Sequence, residues 1–310
     1  MAWVLGVLLR GVAFLAGRLP FRLLRVPGAV LGWLAGRVLR IRRSHVLGAM
    51  RTAGMPDPDA AADGMYRALG VSVFELLWLA GRKIDAAALA RVSTLDPVSD
   101  ATLRSLEAGG RGLVLVGAHT GNWELAACAL ATRAELLVVA KRLSVGPFDA
   151  FARRTRAAYG VSLADPEGAL AVAQETLARG GWVTMLQDQV PALASHGTAV
   201  SFLGQGALAD RAPAALAWRT GAPLVVVASR RGSSGVQHLE VLATLEPPDG
   251  AGRAWIDEAT RQATLALERF VFAHPSQWLW LHRRWRRPLP ARAASACLPA
   301  DSPLNEARHA

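Results

Sequence analysis

The hydrophobic pattern changes character along the chain. Residues 2–17 and 19–36 are almost continuously apolar, but Arg10 interrupts the first run, and Pro20, Arg22, Arg25 and Pro27 interrupt the second. Neither is the clean stretch of ~20 apolar residues that a spanning helix needs. Met55-Pro56-Asp57-Pro58-Asp59 reads as a turn. From Ala60 to Ala80, Tyr66, Leu69, Val73, Leu76 and Leu77 share one face, which predicts a helix. From residue 112 onward strand-type and helix-type patterns alternate. Strands are predicted over 112–117, 135–140, 161–163, 182–187, 223–229 and 236–244, and helices over 122–131, 148–158, 167–179, 210–220 and 252–272. That alternation predicts an α/β fold, with a mixed, largely parallel sheet flanked by helices. The expected organisation is a membrane-associated helical segment over 1–45, an α/β domain over 46–290 and a loose tail over 291–310.

Composition sharpens the reading of the first segment. The chain has 310 residues, 52% of them hydrophobic, and Lys+Arg exceeds Asp+Glu by 35 to 24, a formal charge of +11. Lys83 and Lys141 are its only lysines, so the basic charge is nearly all arginine, whose fork matches phosphate and carboxylate. Such a charge suits nucleic acid or an anionic membrane surface. Ten Trp against two Tyr favour the membrane interface. With no basic helix, zinc spacing or RNP-like motif, nucleic acid is not expected as a partner. Arg18, Arg22 and Arg25 fall at i, i+4 and i+7, and Trp3, Phe14, Phe21 and Trp33 supply anchors. Residues 1–40 therefore read as interfacial helices on the cytoplasmic leaflet. An ordinary core helix pair with a solvated basic face, or one strained spanning helix, also fits the pattern. No cleaved signal peptide is expected. Cys128 and Cys297 make no disulfide framework, which fits a cytosol-facing location.

The candidate chemistry centres on Gly117-Ala118-His119-Thr120-Gly121-Asn122-Trp123-Glu124. His119 falls where an apolar strand ends and Glu124 in the first turn of the next helix, and ligands bind at the carboxyl ends of strands in open α/β sheets. Residues i and i+5 diverge on a helix, but across a strand–turn–helix junction the two side chains can meet. Gly121 permits a tight turn, and Thr120 or Asn122 can cap the helix. A carboxylate on one ring nitrogen raises the basicity of the other, which can then take a proton from an attacking hydroxyl. A surface pair or a core histidine is the competing reading. Glu75, in the earlier helix, reads as a partner of Arg82 in preference to a buried carboxylate. No metal cluster, phosphate-binding glycine loop or Gly-x-Ser-x-Gly elbow is apparent, so no metal or cofactor is expected.

His119-x4-Glu124, Gln187-Asp188-Gln189 after an apolar run, and Pro275-Ser276-Gln277-Trp278-Leu279-Trp280-Leu281-His282-Arg283-Arg284-Trp285 together resemble the bacterial lipid A biosynthesis (lauroyl/myristoyl) acyltransferases of the lysophospholipid acyltransferase-like superfamily. Order and spacing agree over about residues 30–290. The resemblance implies transfer of a fatty acyl chain from a thioester, with acyl carrier protein as donor, to a hydroxyl of an anionic glycolipid in lipid A and lipopolysaccharide biosynthesis at the cell inner membrane. His119 would be the general base and Glu124 its orienting carboxylate. Asp188 would orient His119 or a substrate hydroxyl, and Gln189 would bond a sugar or amide. Arg156, then Arg154, best matches an arginine implicated in substrate binding; Arg142, Asn122, Arg283 and Arg284 complete the expected binding set. Backbone N–H groups of the 120–123 turn, or Arg156, are candidate oxyanion donors. Val200–Gly204 would line the acyl channel or belong to the core. Ala209-Asp210-Arg211-Ala212-Pro213 and Leu143-Ser144-Val145-Gly146-Pro147 depart from the family pattern, which leaves the acceptor open. A lysophospholipid, an aminolipid or a mannosylated phosphoinositide would serve the same chemistry, and a non-catalytic membrane-binding module is the other class.

Overall fold

The computed structural model describes residues 2–250, 252–286 and 289; the expected tail and Cys297 lie outside them. Among the described residues nine strands are formed: β1 (Ser93–Leu95), β2 (Leu113–Gly117), β3 (Leu136–Val139), β4 (Val161–Ala164), β5 (Trp182–Leu186), β6 (Gly197–Phe202), β7 (Gln205–Asp210), β8 (Leu224–Arg231) and β9 (Gln237–Leu245). The helices are α1 (Ala2–Ala16), α2 (Arg25–Trp33), α3 (Arg43–Thr52), α4 (Pro58–Gly81), α5 (Ala86–Ala90), α6 (Pro97–Ala108), α7 (Trp123–Leu130), α8 (Gly146–Ala158), α9 (Ala169–Ala178), α10 (Ala212–Thr220) and α11 (Arg253–Ala273).

Seven strands make one sheet in the order β1-β9-β8-β2-β5-β3-β4. The run from β8 to β4 is parallel, whereas β9 is antiparallel to β8. Strand β2 is central and buried on both faces, which explains its unbroken apolar sequence Leu113-Val114-Leu115-Val116. The register pairs Gly117 of β2 with Leu186 of β5, and the Gln187 N–H extends the ladder by donating to the Gly117 carbonyl at 2.8 Å. The expected mixed, largely parallel sheet is therefore the fold. The short edge strand β1 and the β6–β7 hairpin were not legible as strands. Val200 and Phe202 of that hairpin, with Leu203 at its turn, are buried in the main core.

The N-terminal helices lie on α4 through glycines. A Cβ on Gly70 would meet the Gly28 carbonyl at 2.2 Å, and one on Gly17 would meet the Gly81 carbonyl carbon at 2.5 Å. Backbones approach this closely only without side chains. Ala13, Ala16 and Leu24 join the same buried cluster as Leu115 and Val225 of the sheet. The opposite faces of these helices expose large apolar side chains, among them Trp3, Leu15, Val26, Trp33 and Leu39, interspersed with exposed Arg10, Arg18 and Arg22. No helix among the described residues is long and apolar enough to cross a membrane.

The basic run after α2 divides in two. Arg43 is buried and pairs with Asp59 and Asp63, and Arg37 also pairs with Asp63, so these two hold α3 and the end of the α2 segment against α4. Arg40 and Arg42 stay exposed, both with positive φ (49° and 53°).

Candidate active site

The register of the sheet builds the site. His119 lies two residues beyond Gly117, and Asp188 two beyond Leu186, so adjacent parallel strands deliver both side chains to one rim. His119 Nδ1 is 2.9 Å from Asp188 Oδ1, and the His119 backbone N–H donates to Oδ2 at 3.0 Å. The Trp278 indole N–H also donates to Oδ2, at 2.8 Å. The Asp188 side chain is 1% exposed and that of His119 16%. Burial opposes ionisation of Asp188, but His119 and the converging N–H donors outweigh it and hold the carboxyl well below the usual range. An ionised carboxylate only accepts, so Nδ1 carries the proton and Nε2 keeps its lone pair. No hydrogen-bond partner holds Nε2 among the described residues. The ring borders a small crevice with Met65, Leu69, Trp123 and Leu279.

Glu124 is placed differently from the expectation. It does not complete a pair with His119: its carboxylate accepts the Arg156 fork, with Nε 2.7 Å from Oε2, and the Trp123 indole N–H at 3.0 Å. The first turn of α7 aims Glu124 at α8, where Arg156 stands, while the imidazole Nδ1 is already held by the strand-end aspartate. Arg156 in turn is largely buried beside Glu124. It gives Nε and Nη2 to Glu124, which leaves Nη1 as the part of the fork that could meet another ligand.

Asn122 is likewise a structural residue. It is buried, caps α7 by accepting from the Glu124 and Leu125 N–H groups, and donates to Glu75 Oε2 at 2.6 Å, so it does not face a substrate. Glu75 itself is buried and is paired with Arg231, not with Arg82. Burial pushes its carboxyl up, opposed by Arg231 and the Asn122 amide. This network fixes the turn after His119. Gln237 Oε1 accepts the Asn122 N–H at 3.1 Å, Gln277 O accepts the Gly121 N–H at 2.8 Å, and Gln277 Oε1 accepts the Arg231 N–H at 3.0 Å. Gly121 has φ 54°, and a Cβ there would meet the Ser229 carbonyl at 2.5 Å. With the Thr120 N–H bonded to the Ala118 carbonyl, N–H groups 120–122 are all engaged internally, which leaves Trp123 of the 120–123 turn expected to supply oxyanion donors.

The other expected binding residues spread out. Arg142 is exposed and pairs with Asp165, and Arg154 is exposed with no hydrogen bond or ion pair to the described residues. Arg283 is exposed, while Arg284 is buried, donates to the Gln189 and Leu208 carbonyls, and lies over Phe202. Burial pulls the Arg284 guanidinium down to about 10. Arg284 therefore holds the loop after β5 and does not meet a substrate. Gln189 is exposed and bonds the His282 ring, with Nε2 3.2 Å from the ring Nε2.

His282 stands in the Trp-rich stretch, where the sequence assigns it no role of its own. Its ring centroid lies 4.7 Å from that of His119. The only early signal was its place in the Trp-rich stretch. Ligand atoms of His119, Asp188 and His282 fall within 4.8 Å of one another, the one group of potential metal ligands among the described residues. Asp188 already accepts the His119 ring N–H on Oδ1 and the His119 and Trp278 N–H groups on Oδ2.

Comparison with known proteins follows the geometry. No curated protein matches the chain by sequence. Among solved structures, the 1-acyl-sn-glycerophosphate (LPA) acyltransferase PlsC from Thermotoga maritima aligns at 11% identity over 84% of this chain and 100% of that one, with a TM-score of 0.39, a loose similarity. The family model described as bacterial lipid A biosynthesis acyltransferase matches residues 2–287. With that match over nearly its whole length, the chain belongs to the bacterial lipid A biosynthesis acyltransferase family and is an acyltransferase acting on a lipid.

Proposed function

We propose that the protein transfers a fatty acyl chain from an acyl thioester, carried by acyl carrier protein, to a hydroxyl of a lipid A-type glycolipid precursor. The observation that carries this reading is the His119–Asp188 pair at a strand-end rim, with Nε2 unpartnered beside a crevice. Nε2 takes the proton of the acceptor hydroxyl as its oxygen attacks the thioester carbonyl. The tetrahedral intermediate collapses, the C–S bond breaks, and the thiolate recovers the proton from His119. The sum is an ester and a free thiol, with no acyl-enzyme. Cys128 is not a competing nucleophile, because it is buried and burial pushes its thiol up to about 12.

The exposed apolar row on α1 and α2, interleaved with arginines, supports seating of these helices in the cytoplasmic leaflet of the inner membrane, where the acceptor lipid resides. Arg42 and Arg283, exposed near the rim, suit the phosphates of an anionic glycolipid.

The test is lipid mass spectrometry of a deletion strain, complemented with wild type or with His119→Ala. Loss of one acyl mass from lipid A, restored only by wild type, is the expected result. A changed phospholipid or aminolipid with lipid A intact would replace the acceptor. Full restoration by His119→Ala would end the catalytic reading.

A further inference from the structure

A base alone does not complete acyl transfer. The carbonyl oxygen of the thioester gains a full negative charge in the tetrahedral intermediate and needs a fixed donor. Several donors near in sequence are already engaged: the N–H groups of Thr120, Gly121 and Asn122 are bonded to Ala118, Gln277 and Gln237, and Arg156 gives Nε and Nη2 to Glu124. One further polar ring lies against that of His119, and it comes from the far end of the chain.

We propose that His282 is a catalytic residue, the neutral hydrogen-bond donor that stabilises the developing oxyanion while His119 acts as base. The inference rests on the acyl-transfer reading above. Three observations carry it. The first is proximity: the ring centroids of the two imidazoles are 4.7 Å apart, tilted by 59°, and a ring nitrogen of each lies within 4.8 Å of the other. The second is the tautomer. Gln189 Nε2 lies 3.2 Å from His282 Nε2, and an amide N–H donates, so the ring accepts there and carries its proton on Nδ1. His282 therefore carries its one N–H on Nδ1, while the Asp188 contact leaves His119 its lone pair on Nε2. The third is rigidity. The 279–282 segment is held from both sides: the Leu279 N–H donates to the His119 carbonyl at 3.0 Å, Arg42 Nη1 donates to the Leu281 carbonyl at 3.0 Å, and His45 Nε2 to the His282 carbonyl at 3.2 Å. Preorganised donors are effective because they need no reorganisation at the moment of reaction.

The charge environment agrees. His282 faces His119, Asp188 and Arg42. Burial, with His119 and Arg42 adding to it against Asp188, lowers it to about 4. It is thus a neutral imidazole near neutral pH, and donates without competing for the proton. In the reaction it exchanges nothing: the hydroxyl proton goes to His119 Nε2 and then to the departing sulfur, and the His282 N–H only strengthens its bond to oxygen as charge appears and relaxes as the carbonyl reforms.

The test uses full-length protein in detergent, lauroyl- or myristoyl-acyl carrier protein, and total lipid extract of the deletion strain, read as thiol release and acyl-lipid formation. His282→Leu removes the donor and His282→Asn keeps an amide N–H near the δ position. Melting curves establish that each variant is folded, with His282→Ala replacing His282→Leu should the latter not fold. The expected result is a kcat lower by about 100-fold in His282→Leu with KM within about threefold, and recovery of at least about tenfold of that loss in His282→Asn. The acid limb of the kcat/KM profile stays where it is in wild type. Equal losses in both variants would mean packing, a shifted acid limb would mean a proton carrier, and near-wild-type rates in both would mean no role; each overturns the inference. His119→Ala in parallel separates the two claims. Activity there sinks the acyl-transfer reading itself, whereas an inactive His119→Ala beside active His282 variants sinks only this one.

Discussion

Asp188, just past the end of β5, and Glu124, in the first turn of α7, are both nearly buried carboxylates, and each has an aromatic N–H and a cationic or imidazole partner. Asp188 collects His119 and Trp278; Glu124 collects Arg156 and Trp123. The one five residues from His119 in sequence is not the one on its ring. Sheet register decides the pairing, because β2 and β5 are neighbours and positions two beyond a paired residue stay side by side. Helix α7 instead turns Glu124 toward α8. Two carboxylates with similar surroundings thus divide into one that holds the His119 ring and one that ties two helices together beside it.

The widest separation between them is expected on neutralising Asp188. Asp188→Asn leaves the shape but places an amide where His119 needs an acceptor, and kcat for acyl transfer should fall by about 10³- to 10⁴-fold with little change in KM. A loss below about tenfold would move the orienting role elsewhere.

Glu75 sets the reference for a carboxylate that only holds the fold. Glu75→Ala leaves Arg231 buried without its partner, and denaturant unfolding should show a loss of about 3–5 kcal/mol. If stability is unchanged while kcat collapses, Glu75 belongs with the chemistry.

The imidazole beside Asp188 gives the contrast a pH dependence. His282 is lowered in the folded protein to about 4, whereas it titrates near 6.5 when unfolded. Its stabilising contribution is full above about 6.5 and is lost as pH falls toward 4, because the unfolded chain binds the proton first. His282→Asn should flatten that part of the stability–pH curve by about 3 kcal/mol at most. An unchanged slope would mean that the ring is solvated.

Glu124→Gln keeps one acceptor for Arg156 and loses the charge. We expect kcat/KM to drop by about 10- to 100-fold, well short of Asp188→Asn. The reverse order would restore Glu124 as the partner of the base. Smallest of all, iodoacetamide at pH 8 should leave activity intact at Cys128, since its buried thiol is pushed up to about 12. Inactivation that a Cys128→Ala variant escapes would contradict this.

Much of this architecture was legible because local rules sufficed. Leu113-Val114-Leu115-Val116 reads as a doubly buried strand, Tyr66 to Leu77 as a helix face, and Gly121 as a tight turn, since each depends on periodicity or backbone sterics within a few residues. The β6–β7 hairpin was not legible, because Val200 and Phe202 pack into the core only once α11 and the Trp-rich segment cover them. Arg284 and Asn122 looked like binding residues because polarity alone does not reveal whether a side chain meets a ligand or a backbone carbonyl.

The sequence by itself determined the alternation of strands and helices, the strand-end position of His119, and the apolar, arginine-studded character of the first forty residues. Only the tertiary structure decided which carboxylate reaches the histidine, that Glu75 finds Arg231 across 156 residues, and that His282 arrives beside His119. The physical reason is range. Propensity and periodicity act over a helical turn or a strand, whereas hydrogen-bond partners at a sheet rim are chosen by strand order and register, which are properties of the whole chain.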